Sequence, residues 1–254
     1  MLLVPLAVAG VGFLLLPFAG LLQRTPWSSL PSLVTEPVVV DALRLSVVTA
    51  TLATVTSLVL GVPLAWVLAR MTFPGRALLR ALVTLPMVLP PVVGGTALLF
   101  ALGRRGLVGG PLERATGILL PFSTAGVVVA TTFVAMPFLV ITLEAALRGA
   151  DRRYEDAAAT LGARRLTVFR RVTLPLVAPS LLAGTVLCWA RALGEFGATI
   201  TFAGNLQGRT QTMPLAVFLA LESDREAAIA LSLVLIALSL VVLVALRDRW
   251  SPFP

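Results

Sequence analysis

The chain has 254 residues, of which 58% are hydrophobic and only 13% charged, with a net charge of +8 and a mean hydropathy of +0.98. A soluble domain carries roughly 25% charged residues, so this chain has too little polar surface for a water-soluble fold and is expected to be an all-α polytopic membrane protein. All 20 basic residues are arginine, histidine is absent and the single cysteine, Cys188, lies in an apolar run, which excludes disulfide frameworks, metal sites and His-dependent protease sites.

A hydrocarbon core needs about 20 apolar residues per helix. Six stretches qualify, at 2–22, 45–68, 81–103, 123–145, 174–195 and 227–246, within one transmembrane domain spanning 1–254. The first has no basic segment before it and is too long for a secretory leader's apolar region, so it is read as a helix. The second carries Thr49, Thr51, Thr54, Thr56 and Ser57. Hydroxyls in such a position are expected to bond between helices rather than face a passing solute.

The third stretch contains Pro86, Pro90 and Pro91, followed by Gly94, Gly95 and Thr96. Each internal proline removes a backbone donor and kinks a helix. Such a helix suits either close packing or the wall of a transport path, where neighbouring groups satisfy the freed carbonyls. The fourth stretch begins near Ser123 and ends with Glu144 and Arg148, expected to form a surface pair at the helix end.

Residues 148–173 are polar yet helix-forming. Ala157, Ala158 and Leu161 would form a small apolar face that fits a partner's groove, and Gly162 would let the chain turn. The competing reading, a helix lying on lipid headgroups, is disfavoured because alanines anchor weakly. In the fifth stretch Arg191 lies about 24 Å beyond Pro175 at ~1.5 Å per residue, in the outer half of a bilayer. Glu195 follows one turn later and is expected to pair with it, although an intramembrane charge is also a functional candidate.

A pI near 11.5 would suggest nucleic-acid binding in a soluble protein. Here the arginines stand between apolar runs and act as topology signals, with no nucleic-acid partner expected. Twelve of them (Arg70, Arg76, Arg80; the seven from Arg148 to Arg171; Arg247 and Arg249) fall on one side of the six stretches, and six on the other. Both termini and the 148–173 segment are therefore expected in the cytoplasm.

That segment resembles the EAA loop of ABC importer permeases. It reads Asp156-Ala157-Ala158, three residues, Gly162, nine residues, then Val172-Thr173-Leu174-Pro175. Asp156 stands where the family usually has Glu, and Glu155 stands beside it, so both acids remain candidates. Phe73 to Gly110 and Trp189 to Asn205 are similar to molybdate permeases. Sulfate/thiosulfate permeases share the second stretch in outline, but Ala198-Thr199-Ile200 and Phe202-Ala203-Gly204-Asn205 favour molybdate, and tungstate permeases usually carry a version closer to AEVGA.

The resemblance implies a type I ABC importer in the inner membrane of a prokaryote. Its parts would be a homodimer of this permease, two cytoplasmic ATPase subunits that bind ATP and Mg, and an extracytoplasmic molybdate-binding protein. This chain has no G-x-x-x-x-G-K-[ST] loop, so it is expected to be no enzyme and to hold no cofactor. Glu155, Asp156, Ala157, Ala158, Gly162, Leu174 and Pro175 are the candidate ATPase-coupling residues. Pro90, Pro91, Gly94, Gly95, Thr96, Arg191, Glu195 and Thr199 are the pathway or gate candidates. The alternatives are a sulfate/thiosulfate permease, a non-transporting scaffold subunit, or an ATP-independent secondary oxyanion transporter with Arg191 and Glu195 as its ion site.

Overall fold

The computed structural model describes residues 3–245, and every regular element among them is helical. The proposed span ends Leu2 and Leu246, and Arg247, Asp248 and Arg249, lie outside the described residues. Helix α1 (Leu3–Gln23) buries none of its residues against the rest of the chain. A turn and short α2 (Leu30–Val34) lead into α3 (Pro37–Arg70), whose 34 residues extend about 51 Å. Proline in its first turn is already set at a helical φ and lacks only a donor that would be unpaired there.

The core is built on α3, α7 (Thr124–Gly149) and α10 (Leu174–Leu193). α3 presents Ala42, Ser46, Ala50, Ala53, Ser57, Gly61 and Ala65 as a buried face of small side chains. In lipid no hydrophobic force drives helices together, so close van der Waals packing over such a face does the work. At Gly61 an added Cβ would lie 3.1 Å from Val140 Cγ2, and at Gly184 of α10 one would lie 3.2 Å from Thr142 Cβ. Ala50, Ala53, Ala135, Leu139 and Cys188 form the centre of this packing, and Ala65, Leu68, Leu143 and Leu147 continue it toward the α7–α10 loop.

The third apolar stretch is not one continuous helix. It divides into α4 (Arg76–Val88) and α5 (Pro91–Leu102), bent by 117° to each other. The break follows from Pro90 and Pro91: a residue before proline is driven out of the α region, and both Leu89 and Pro90 take extended ψ values of 139° and 130°. Pro86 is accommodated inside α4. Five helices are long and apolar enough to cross a membrane, and the bent pair brings the number to six if counted as one span. A short α6 (Gly109–Thr116) precedes α7, which starts at Ser123, whose hydroxyl accepts the Gly126 N–H.

Beyond α7 the chain forms α8 (Arg153–Thr160), α9 (Arg165–Val168) and a π-helical turn, Phe169–Thr173, that runs straight into α10. After α10 come α11 (Gly197–Phe202), α12 (Met213–Ser223) and α13 (Arg225–Ala245). Asp224 Oδ1 caps α13 by accepting the Glu226 and Ala227 N–H groups at 3.0 and 3.1 Å. Ser46 Oγ accepts the Met213 N–H at 2.7 Å and so ties the start of α12 to α3.

Candidate functional site

Two regions collect the candidate residues. The first is the loop between α7 and α10. Asp151 Oδ1 accepts the Arg153 N–H at 2.9 Å, a local turn that starts α8, and Glu155 and Asp156 in its first turn complement the helix dipole. At the other end Gly162 adopts φ +81°, with Ala163 N–H donating to Ala158 O at 3.1 Å and Gly162 N–H to Ala159 O at 3.0 Å. This is a Schellman closure, which places a left-handed residue just past the helix and satisfies its last carbonyls.

The closure leaves Leu161 89% exposed. With Tyr154 and Ala157 it forms an outward face, while Ala158 is half-buried. Glu155 points the other way: its Oε1 lies 2.7 Å from Arg70 Nη2 and accepts the Thr173 hydroxyl at 3.0 Å. Asp156 is exposed and makes no ion pair among the described residues. Leu174 and Pro175 form the first turn of α10. Between this loop and the end of α3 lies a cleft of about 810 Å³, walled by Val62, Trp66 and Phe169 and edged by Arg70, Arg152 and Arg165.

Glu144 is not the surface partner expected at the end of α7. It is buried, and it accepts Arg80 Nε at 3.0 Å across from α4, besides lying 3.3 Å from Arg148 Nε. The expected pair spans four residues, whereas the contact that buries Glu144 comes from a residue 64 positions away.

The second region is a joint between α5 and α11 that brings the proline–glycine stretch onto the Glu195 stretch. At Gly95 an added Cβ would stand 2.7 Å from Ala198 O and 2.9 Å from Ala198 Cα, and at Gly197 one would stand 2.7 Å from Pro91 Cβ. Gly94 faces the ring of Phe133, at 3.1 Å from such a Cβ. Glu195 follows the end of α10; its Oε1 accepts the Ala198 N–H at 2.8 Å and its Oε2 lies 2.6 Å from Arg191 Nη1. That second contact is an ion pair without hydrogen-bond alignment, since Glu195 Oε2 has no aligned donor. Thr199 is fully buried and its hydroxyl has no partner.

Pro90, Pro91 and Thr96 therefore stand on accessible surface, while Gly94, Gly95, Glu195 and Thr199 lie inside the joint. The hydroxyls of the second stretch mostly serve their own helix: Thr49, Thr54 and Thr56 donate to the carbonyls of Leu45, Ala50 and Leu52. Thr51 bonds across helices, accepting from Trp189 Nε1 of α10 at 3.2 Å. Arg70, Arg80, Thr173 and Gly197 belong to these sites but were read from sequence only as topology charges or motif filler.

The described residues form an all-helical bundle with an apolar exterior and a helix projecting from an inter-span loop, the architecture of a polytopic membrane protein. The model of the binding-protein-dependent transport system inner membrane components matches residues 61–250. The chain belongs to that family.

It is 52% identical over 245 residues to the molybdenum transport system permease protein ModB of Mycobacterium tuberculosis, covering 96% of this chain and 92% of that protein. It is 39% identical to the sulfate transport system permease protein CysT of Salmonella typhimurium, covering 94% and 88%. Among solved structures, a bacterial ABC transporter involved in the import of alginate shares the fold, with a TM-score of 0.76, 19% identity and coverage of 98% of this chain and 92% of that chain.

Proposed function

We propose that the chain is the membrane-spanning permease of an ATP-driven molybdate importer. In this reading two copies enclose the path, two cytoplasmic ATPase subunits dock on the α7–α10 loops, and an extracytoplasmic protein delivers the oxyanion. The observation that carries it is α8: an eight-residue helix projecting from an inter-span loop, closed by Gly162 at φ +81°, with Ala157 and Leu161 turned outward. Small side chains on such a face allow a partner's backbone to approach closely, and Leu161 supplies an apolar anchor for its groove.

Molybdate is a dianion, and its dehydration is costly unless donors replace the lost water. Tight capture mid-membrane would stall release, so strong binding belongs on the delivering protein and weak, gated passage on this chain. ATP-driven closure of the ATPase pair would push on α8 and shift the population between two arrangements of the helices. Molybdate is favoured over sulfate by the residues after Glu195 and by the closer match, at 52% identity, to a molybdenum permease.

The test is uptake into proteoliposomes holding the permease, its ATPase and its binding protein. Molybdate should enter only with ATP and binding protein present, and should outcompete sulfate. Uptake without ATP would move the chain to the secondary transporters, and a sulfate preference would reassign the substrate.

A further inference from the structure

We infer that Glu155 is a positioning residue for transport: it is the link through which α8 moves α3 and α10. This inference rests on the coupling role proposed for α8. One carboxylate oxygen, Glu155 Oε1, joins three elements. It takes Arg70 Nη2 at 2.7 Å from the last residue of α3, and the Thr173 hydroxyl at 3.0 Å from the end of the π-helical turn.

Apolar packing does not hold α8 in place, because none of its residues is buried. Its polar link to Arg70 and Thr173 is therefore a main attachment to the helix bundle. The Arg70 side chain is only 7% exposed, and its Nε has no hydrogen-bond partner. Glu155 is thus the group that compensates this buried charge. A buried ion deprived of its partner is strongly destabilised, so Arg70 must follow Glu155 when α8 is displaced.

Thr173 closes a π-helical turn, a wide turn of the kind that often marks functional sites in helices. A pull on its hydroxyl would act at the junction where the loop runs into α10. Asp156, one position on, is exposed and lines the same cleft beside Arg152 and Arg165, but it makes no ion pair among the described residues, so it does not share the Arg70 link. The neighbouring Arg80–Glu144 pair differs in kind, because it joins α4 to the well-packed α7 and does not touch α8.

The experiment uses the complete transporter in proteoliposomes and reads two quantities: ATPase subunit retained per permease, and molybdate imported per ATP hydrolysed. Glu155→Gln should retain the ATPase subunit yet lose roughly fivefold or more in import per ATP, the scale of ordinary coupling energies. Thr173→Val, which buries no new charge, should lower the same ratio less. Arg70→Gln combined with Glu155→Gln should be no worse than Glu155→Gln alone, since the two remove one shared interaction.

An unchanged ratio in Glu155→Gln, or losses that add in the double variant, would overturn the link. Leu161→Glu tests the reading underneath, because that residue is on the outward face and its replacement should strip off the ATPase. Normal retention and import in Leu161→Glu would remove the coupling role of α8 whatever Glu155 does.

Discussion

Glu195 and Arg191 form a pair whose two members are unequally buried, the carboxylate 2% exposed and the guanidinium 28%. Removing the arginine strands a carboxylate that has no route to water, at a cost of about 3–5 kcal/mol. Removing the glutamate leaves a guanidinium on a long stem that can reach toward the interface, together with the loss of the Ala198 N–H acceptor, a cap-like bond worth about 1 kcal/mol. Arg191→Ala is therefore expected to lower the unfolding midpoint of the purified complex more than Glu195→Ala. Glu195→Gln combined with Arg191→Ala should recover most of the loss, since the amide carbonyl keeps the Ala198 bond without the charge. A stable Arg191→Ala complex that fails to transport would mean that the guanidinium serves the passing anion instead.

The α5–α11 joint shows how a stretch of sequence becomes a packing device. Gly94 and Gly95 are adjacent, but a Cβ at Gly95 meets the backbone of Ala198 at 2.7 and 2.9 Å, while one at Gly94 meets only the Phe133 ring edge at 3.1 Å. A ring can turn and a backbone cannot, so Gly95→Ala should destabilise by roughly 1–3 kcal/mol through overpacking and Gly94→Ala by much less. Thermal melts of the two purified variants check the order, and equal midpoints would mean that α5 moves freely over α11. The prolines pointed to a kink in the third stretch, but not to its division into two helices at 117°, since local sequence carries the loss of a backbone donor and not the direction the chain takes afterwards. The EAA-like spacing was legible because each part is local: acids in a first helical turn, a small face, a left-handed glycine. The hydroxyls of α3 bond mostly within their own helix, since a helical carbonyl four residues back is always within a hydroxyl's reach, and Thr51 also meets Trp189 of α10. The Glu144–Arg148 pair was legible from its spacing, whereas the burial of Glu144 and its second partner Arg80 were not, because that contact is distant in sequence and no helical spacing reports it.

The whole molecule exposes 15287 Å², whereas a compact soluble protein of its mass would expose about 10,700 Å². Large apolar side chains stand on that surface: no residue of α1 is buried, and Val48, Leu52, Val55 and Val59 run exposed along α3, as surfaces meant for lipid or for other subunits do. Such a shape holds together only in the membrane, which makes its orientation a property of the whole chain. The arginine bias predicts a cytoplasmic α7–α10 loop, which would put the α11–α12 loop, beyond the far end of α10, outside. α10 separates them by 20 residues, about 30 Å and enough to cross a hydrocarbon core. Single cysteines at Ala163 and Gly208 probe the two ends, in a background where Cys188→Ala removes the one native thiol, itself buried in the core. In intact cells an impermeant maleimide should label Gly208→Cys and spare Ala163→Cys until the membrane is opened. Gly208 has a left-handed φ of +71° with open space where a Cβ would stand, so that cysteine strains the backbone slightly but meets no neighbour. Labelling of Ala163→Cys alone in intact cells would invert the orientation and put α8 on the wrong side of the membrane to meet any ATPase.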